Sequence, residues 1–165
     1  MQLQNVNHIG EEFVLRSAGE LRTLLLGAAG GGRRLYVNVD RVPPGRWSTK
    51  YHSHSRQEEF FLLLRGSGTL RLGGETVPVE AGDFFAKPAG MGLAHAFYNS
   101  GTEELEILDV GTVEDLSLIH IFRPHHLRIR AGDLGRLSSG ETEKKRSPAR
   151  AAFFFAAFEK AAQNV

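Results

Sequence analysis

The sequence predicts an all-β domain, an antiparallel sandwich or small barrel, and three observations carry that prediction. From Arg33 to Thr112 short runs of alternating apolar and polar residues follow one another closely, and a period of two marks half-buried strands. Between the runs stand Pro43-Pro44-Gly45, Gly66-Ser67-Gly68, Gly73-Gly74, Ala81-Gly82-Asp83 and Ser100-Gly101-Thr102, groups whose backbone preferences reverse a chain. No segment before Val113 carries apolar residues at a sustained helical spacing. At 165 residues the chain fits one domain. A domain of that size buries roughly 70% of the surface its unfolded chain exposes, so a core can form without staples.

The first 32 residues are the least regular. Phe13-Val14-Leu15 and Leu21 to Leu26 each suit a short strand, a β extension ahead of the main body. Gly27-Ala28-Ala29-Gly30-Gly31-Gly32 reads as a flexible loop. A phosphate loop would need a following Lys-Ser/Thr and a helix, and neither is signalled. Leu35 to Val42 alternates over a full strand, and Trp47 to His54 leads into the next. Glu59 to Leu64 is strongly apolar, Thr69 to Leu72 follows a hairpin, and Glu75 to Glu80 alternates again. Pro78 within it indicates an edge strand or a strand end, because proline cannot donate to a ladder. Phe84 to Lys87, His95 to Asn99 and Leu105 to Val110 complete the set.

Composition narrows the chemistry. The chain has no cysteine, which excludes a disulfide framework, a thiolate zinc site and a cysteine nucleophile. Its formal net charge is +1 with acids and bases interspersed, so no nucleic-acid partner is expected. The N-terminal residues have no basic stretch followed by an apolar run of signal-peptide length. The longest apolar run of the body, Phe60 to Leu64, is far too short to cross a bilayer. A cytoplasmic protein without membrane contact is the expectation.

The apolar strand adds an expectation about assembly. With Glu59, Phe61 and Leu63 facing inward, Phe60, Leu62 and Leu64 face outward and are still apolar. A solvated outer face should alternate with polar residues. Another sheet of the same chain or a second subunit should therefore cover it, and a homodimer is expected.

The residues with the most specific chemistry are His52-Ser53-His54, Glu59 and His95. Two histidines two positions apart on a strand point to one face. A carboxylate shortly after them and a third imidazole from a distant strand would complete a pocket-lining metal shell. Glu58 is the rival carboxylate, but alternation turns it away from the side of Glu59. Lys50 and Lys87 are candidate substrate contacts, and Tyr36, Tyr51 and Tyr98 candidate polar pocket groups that also suit half-buried packing. Phe61, Phe85 and Phe97 read most simply as barrel lining. No general acid or base is identifiable, so the catalytic residues stay unassigned.

Gly45, His52, His54, Glu59 and Gly66 follow the first cupin motif in order, with a leading gap one residue longer than usual. Gly82, Pro88, Gly90, His95 and Asn99 follow the second, with the gap before the histidine two residues longer. The chain thus resembles a small single-domain cupin of the double-stranded β-helix, or jelly-roll, fold. The resemblance covers about residues 33–112, inside a domain placed at 1–113. It implies that His52, His54, Glu59 and His95 hold one divalent transition metal: Fe, Mn, Ni, Co or Zn. It further implies a small-molecule ligand and a mononuclear metalloenzyme of dioxygenase or isomerase type. The alternatives are non-catalytic ligand binding or a metal that only stabilises the barrel. The lengthened loop Met91 to Ala94 is expected to border the metal and shape selectivity.

Residues 114–165 form an atypical tail, read as helical or disordered. Leu116-Ser117-Leu118-Ile119-His120-Ile121 departs from the cupin pattern and matches what the end of a transposase adapter, CTG TCT CTT ATA CAC ATC, would encode. Sequence from about residue 116 on is therefore expected to be foreign to the domain, and His120, His125 and His126 receive no role.

Overall fold

The computed structural model describes residues 3–17, 20–113 and the backbone of 118–120. The extension ahead of the main body comprises β1 (Val14–Arg16), β2 (Arg22–Leu25) and a single helical turn α1 (Leu26–Ala29). Then follow β3 (Leu35–Val42), β4 (His52–His54), β5 (Glu59–Arg65), β6 (Ser67–Leu72) and β7 (Glu75–Glu80). Last come β8 (Phe84–Lys87), β9 (His95–Tyr98), β10 (Leu105–Thr112) and β11 (Leu118–His120). Pairing is antiparallel throughout, in one sheet ordered β1-β2-β3-β10-β5-β8 and another ordered β11-β4-β9-β6-β7. The all-β, jelly-roll expectation is met.

One local expectation fails. The glycine-rich segment holds the helical turn α1, closed by Gly30 N–H and Gly31 N–H donating to the carbonyls of Leu26 and Ala28. Ala28-Ala29 supplies the helix propensity that the flanking glycines lack. Gly27 lets the turn approach β3, since a Cβ there would lie 2.7 Å from the Val37 nitrogen.

Turn chemistry explains the rest. Gly66, at φ +80°, reverses β5 into β6 against the Glu104 carbonyl, where a Cβ would come within 2.8 Å. Pro78 does sit on an edge strand, β7. Fully buried Asn99 clasps the far end. Its amide donates to the carbonyls of Val42 and Glu103, and its own carbonyl accepts from Gly101 N–H.

Between the sheets lies a core of Val42, Phe61, Leu63, Leu70, Leu72, Val77, Val79, Phe85, Phe97, Leu105 and Ile107, closed by Leu93. The Met91–Ala94 loop belongs to it: Leu93 and Ala94 are buried, Met91 packs on the cluster, and the Ala94 carbonyl accepts from Gly73 N–H at 2.9 Å. The expectation that this loop borders the site is therefore corrected: its apolar side chains are drawn into the core.

Outward, Phe60, Leu64 and Phe84 are exposed, at 37%, 45% and 65%, with the Phe60 and Phe84 rings 6.0 Å apart. No strand of the described residues covers them. Backbone 118–120 pairs with β4 (Leu118 opposite His54, His120 opposite His52). Such a ladder engages main-chain groups that any sequence carries. The remaining tail expectations lie outside the described residues. Among those described, no helix is long and apolar enough to cross a membrane.

Candidate metal centre

Antiparallel pairing lays inward-facing residues in rows across the six-stranded sheet. One row runs Tyr36, Gly111, Glu59, Lys87, and the next runs Asn38, Asp109, Phe61, Phe85. Below them Asp40, Ile107 and Leu63 form a third. The wall thus grades from ionisable to apolar over a few strand residues, since inward positions recur every second residue. The facing sheet supplies His52 and His54 from β4, and His95 from β9, where it stands opposite His52.

The donor atoms converge. His52 Nε2 lies 3.1 Å from His54 Nε2, and His54 Nε2 lies 3.2 Å from Glu59 Oε1. The metal-ligating atoms of His52, His54 and Glu59 all fall within 4.8 Å of one another. Ligands about 2.1 Å from one ion, at roughly right angles or slightly wider, sit about 3.0–3.2 Å apart, so the set fits a divalent metal. His52 Nδ1 lies 2.7 Å from the Lys50 carbonyl. Donation of an N–H there leaves Nε2 with its lone pair toward the centre, the usual orientation of a ligating imidazole. Glu58 is exposed while Glu59 is buried, as alternation predicts.

His95 is buried beside them but stands outside that group. Its Nδ1 is 2.9 Å from Lys87 Nζ and 3.9 Å from Glu59 Oε2. Lys87, only 2% exposed, forms an ion pair with Glu59 Oε2. Of the two lysines named as substrate contacts, Lys87 is thus part of the site but reaches it from behind Glu59.

Electrostatics follow from burial and these contacts. Burial pushes the Glu59 carboxyl up, but the His54 hydrogen bond and the neighbouring His95 and Lys87 outweigh it, holding the carboxyl at about 2. Burial pulls His52 and His95 down, favouring the neutral rings that metals require. Asp109 is pushed up to about 8 by burial and by the charges of Glu59 and Asp40. The Tyr36 hydroxyl bridges Asp109 Oδ1 at 2.9 Å and Glu59 Oε1 at 3.1 Å.

Tyr36 and Asp109 are the cavity-wall residues that pattern reading underrated or missed. Gly111 admits the phenol: a Cβ there would lie 2.6 Å from the Tyr36 ring edge and hydroxyl, so the side chain crosses β10 through the gap. Tyr51 and Tyr98 have packing roles instead, Tyr51 under Arg71 and against Gly74 N–H, Tyr98 against Trp47. Phe61 and Phe97 line the cavity, and Phe85 lies in the core. The cavity has a volume of about 240 Å³ and is lined by Tyr36, Asn38, Asp40, Asp109 and the site residues, together with Ser48, Thr49 and Gln57.

The family described as "Cupin domain" matches residues 38–111. The polyketide synthase CurC of Streptomyces cyaneus is 34% identical over 94 residues, 56% of this chain and 58% of that protein. A sugar phosphate isomerase of the cupin superfamily from Silicibacter pomeroyi is 35% identical at TM-score 0.55, over 57% of this chain and 60% of the other. The chain thus spans less than two thirds of either relative. The polyketide cyclase RemF from Streptomyces resistomycificus, 23% identical at TM-score 0.61 over 76% of this chain and 88% of the other, shares the fold. With two facing antiparallel sheets, both motifs in order and the family match, residues 38–111 are similar to a small cupin domain.

Proposed function

We propose that this cupin is a metal-dependent enzyme of isomerase or cyclase type, acting on a small uncharged molecule that carries a carbonyl and hydroxyl groups. The observation that carries this reading is the Asp109–Tyr36–Glu59 chain on the cavity wall. A carboxyl that keeps its proton to about pH 8, next to a phenol, is suited to passing protons near neutrality. His52, His54 and Glu59 would hold the metal, with His95 the fourth candidate ligand. A bound divalent ion would supply Lewis-acid polarisation of a substrate oxygen. Asp109 would give or take the proton and Tyr36 would relay it, while Phe61 and Phe97 limit water.

The substrate class rests on charge. Among the described residues lining the cavity none is Lys or Arg, so a phosphate group would find no side-chain cation there. Similarity to a polyketide synthase supports a carbonyl-bearing, uncharged ligand. A second reading is an oxygenase, because two imidazoles and one carboxylate also suit oxygen-activating iron.

The test loads purified protein with Zn(II), Mn(II) or Fe(II) and follows exchange of α-carbonyl protons with D₂O by NMR over neutral ketones, phenolic diketones and sugar phosphates. Metal-dependent exchange on neutral substrates, lost in Asp109→Asn, is expected. Oxygen uptake without exchange would favour the second reading, and binding without turnover a carrier or structural role. A homodimer joined through the Phe60–Phe84 face, a cytoplasmic location and a domain that ends near residue 113 complete the proposal.

A further inference from the structure

Lys87 is an unusual neighbour for a metal site: a buried cation, opposite Glu59 in the β5–β8 ladder, touching both Glu59 and His95. We propose that Lys87 is a positioning residue that withdraws His95 from the ligand set, so that His52, His54 and Glu59 alone coordinate the metal. This rests on the metal reading given above.

An ammonium has hydrogens to give and no lone pair to offer. Ion-paired with the Glu59 carboxylate, Lys87 keeps those hydrogens, so His95 Nδ1, at 2.9 Å, must accept one. A neutral imidazole has one acceptor nitrogen, and the other carries the N–H. With Nδ1 engaged by Lys87, the hydrogen sits on Nε2, and neither nitrogen retains a lone pair for a metal. His52 shows the opposite arrangement, its Nδ1 turned to the Lys50 carbonyl and its Nε2 toward the centre beside His54 Nε2. The position of His95 outside the convergent donor group agrees with this.

The ring is not free to turn. His95 is 3% exposed and wedged with ring centroids 4.7 Å from Phe61 and 4.7 Å from His52. Lys87 has a second consequence. By engaging Glu59 Oε2 it leaves Oε1 facing His54, so Glu59 offers one oxygen. His95 then presents an Nε2–H donor at the centre in place of a bond to it.

The experiment titrates metal-free protein with Co(II) chloride and counts imidazole ligands by X-ray absorption, with the visible d–d spectrum as a second readout. Two imidazoles are expected in the wild type. His95→Gln should keep one Co(II) per chain with Kd within about threefold, whereas His54→Gln should weaken it by at least about 100-fold, beyond the usual 10–100-fold range for outer-shell changes. Lys87→Met should free His95, adding a third imidazole and changing the d–d spectrum. Three imidazoles in the wild type, or His95→Gln losing Co(II) as severely as His54→Gln, would overturn the proposal while leaving a metal site in place. A wild type that binds no Co(II), Zn(II) or Fe(II) would refute the metal reading itself. Neither the wild-type count nor His95→Gln depends on whether Lys87→Met folds.

Discussion

Gly111→Ala is the most incisive perturbation of the polar wall. Gly111 lies between Tyr36 on β3 and Glu59 on β5, and its new methyl would sit 2.6 Å from the Tyr36 ring edge and hydroxyl and 2.7 Å from Cζ. Ordinary carbon contacts start near 3.5 Å, so the phenol must move by about 1 Å. It then gives up its bonds to Asp109 at 2.9 Å and to Glu59 at 3.1 Å. Overpacking costs about 1–3 kcal/mol and a lost hydrogen bond to a charged group about 1.5–3 kcal/mol. These overlap, because the displaced phenol recovers water, and a net loss of about 2–4 kcal/mol is expected. The assay is urea denaturation of the metal-free protein at neutral pH. Tyr36→Ala provides the control: once the ring is gone, adding Gly111→Ala should cost less than about 0.5 kcal/mol, a coupling well outside additivity. Additive costs, or a Gly111→Ala variant as stable as the parent, would refute the idea that Gly111 exists to pass the phenol.

Four further outcomes are expected. Glu59→Ala should abolish metal binding by equilibrium dialysis and cost about 3–5 kcal/mol by leaving Lys87 buried without its anion, while Glu58→Ala changes neither. For Asp109, raised to about 8, the stability from its retained proton is fully present below the unfolded carboxyl's pKa and is lost as pH rises through about 8. His52 and His95, whose pKa values are lowered, act in the opposite sense below the ordinary imidazole value, so the comparison must be with Asp109→Asn, whose stability should decline less from pH 4 to 8 in denaturant titrations. On the proposed homodimer reading Phe84→Arg should yield a monomer in sedimentation velocity, and a wild type that sediments as a monomer at micromolar concentration would end that reading. A chain cut after Val113 should keep its β-type circular dichroism and lose little stability, since the described tail contact is a three-residue ladder.

The strands were legible because each rests on local chemistry: alternation from Leu35 to Val42, the Gly66 reversal, and the proline that confines β7 to an edge. His52, His54 and Glu59 were legible because spacing alone puts the histidines on one face and Glu58 on the other. Tyr36 and Asp109 were not, because their meaning depends on a register across β3, β10 and β5 that joins residues 73 apart. Pattern reading also takes the apolar face of a strand as the inner one, whereas β3 turns Tyr36, Asn38 and Asp40 toward the cavity. From sequence Lys87 was only a candidate substrate contact. Only the ladder shows it standing opposite Glu59. The Met91–Ala94 loop misled in the other direction, since length suggested a rim and its apolar side chains chose the core.

The residues of the candidate centre are divided between the two sheets, with Glu59 and Lys87 on one and the three histidines on the other. Before the sheets dock, a nascent chain holds only half-sites. The carboxylate half can already neutralise itself, because Glu59 and Lys87 come from strands that pair directly. On the proposed metal reading, an ion arriving early would find a carboxylate already matched and a pair of imidazoles without their third partner, a weak chelate. On the proposed metal reading, strong capture would thus wait for the two sheets to close on each other. The rate of metal uptake during refolding would then serve as a clock for sheet docking, and the lysine would keep that clock from starting early.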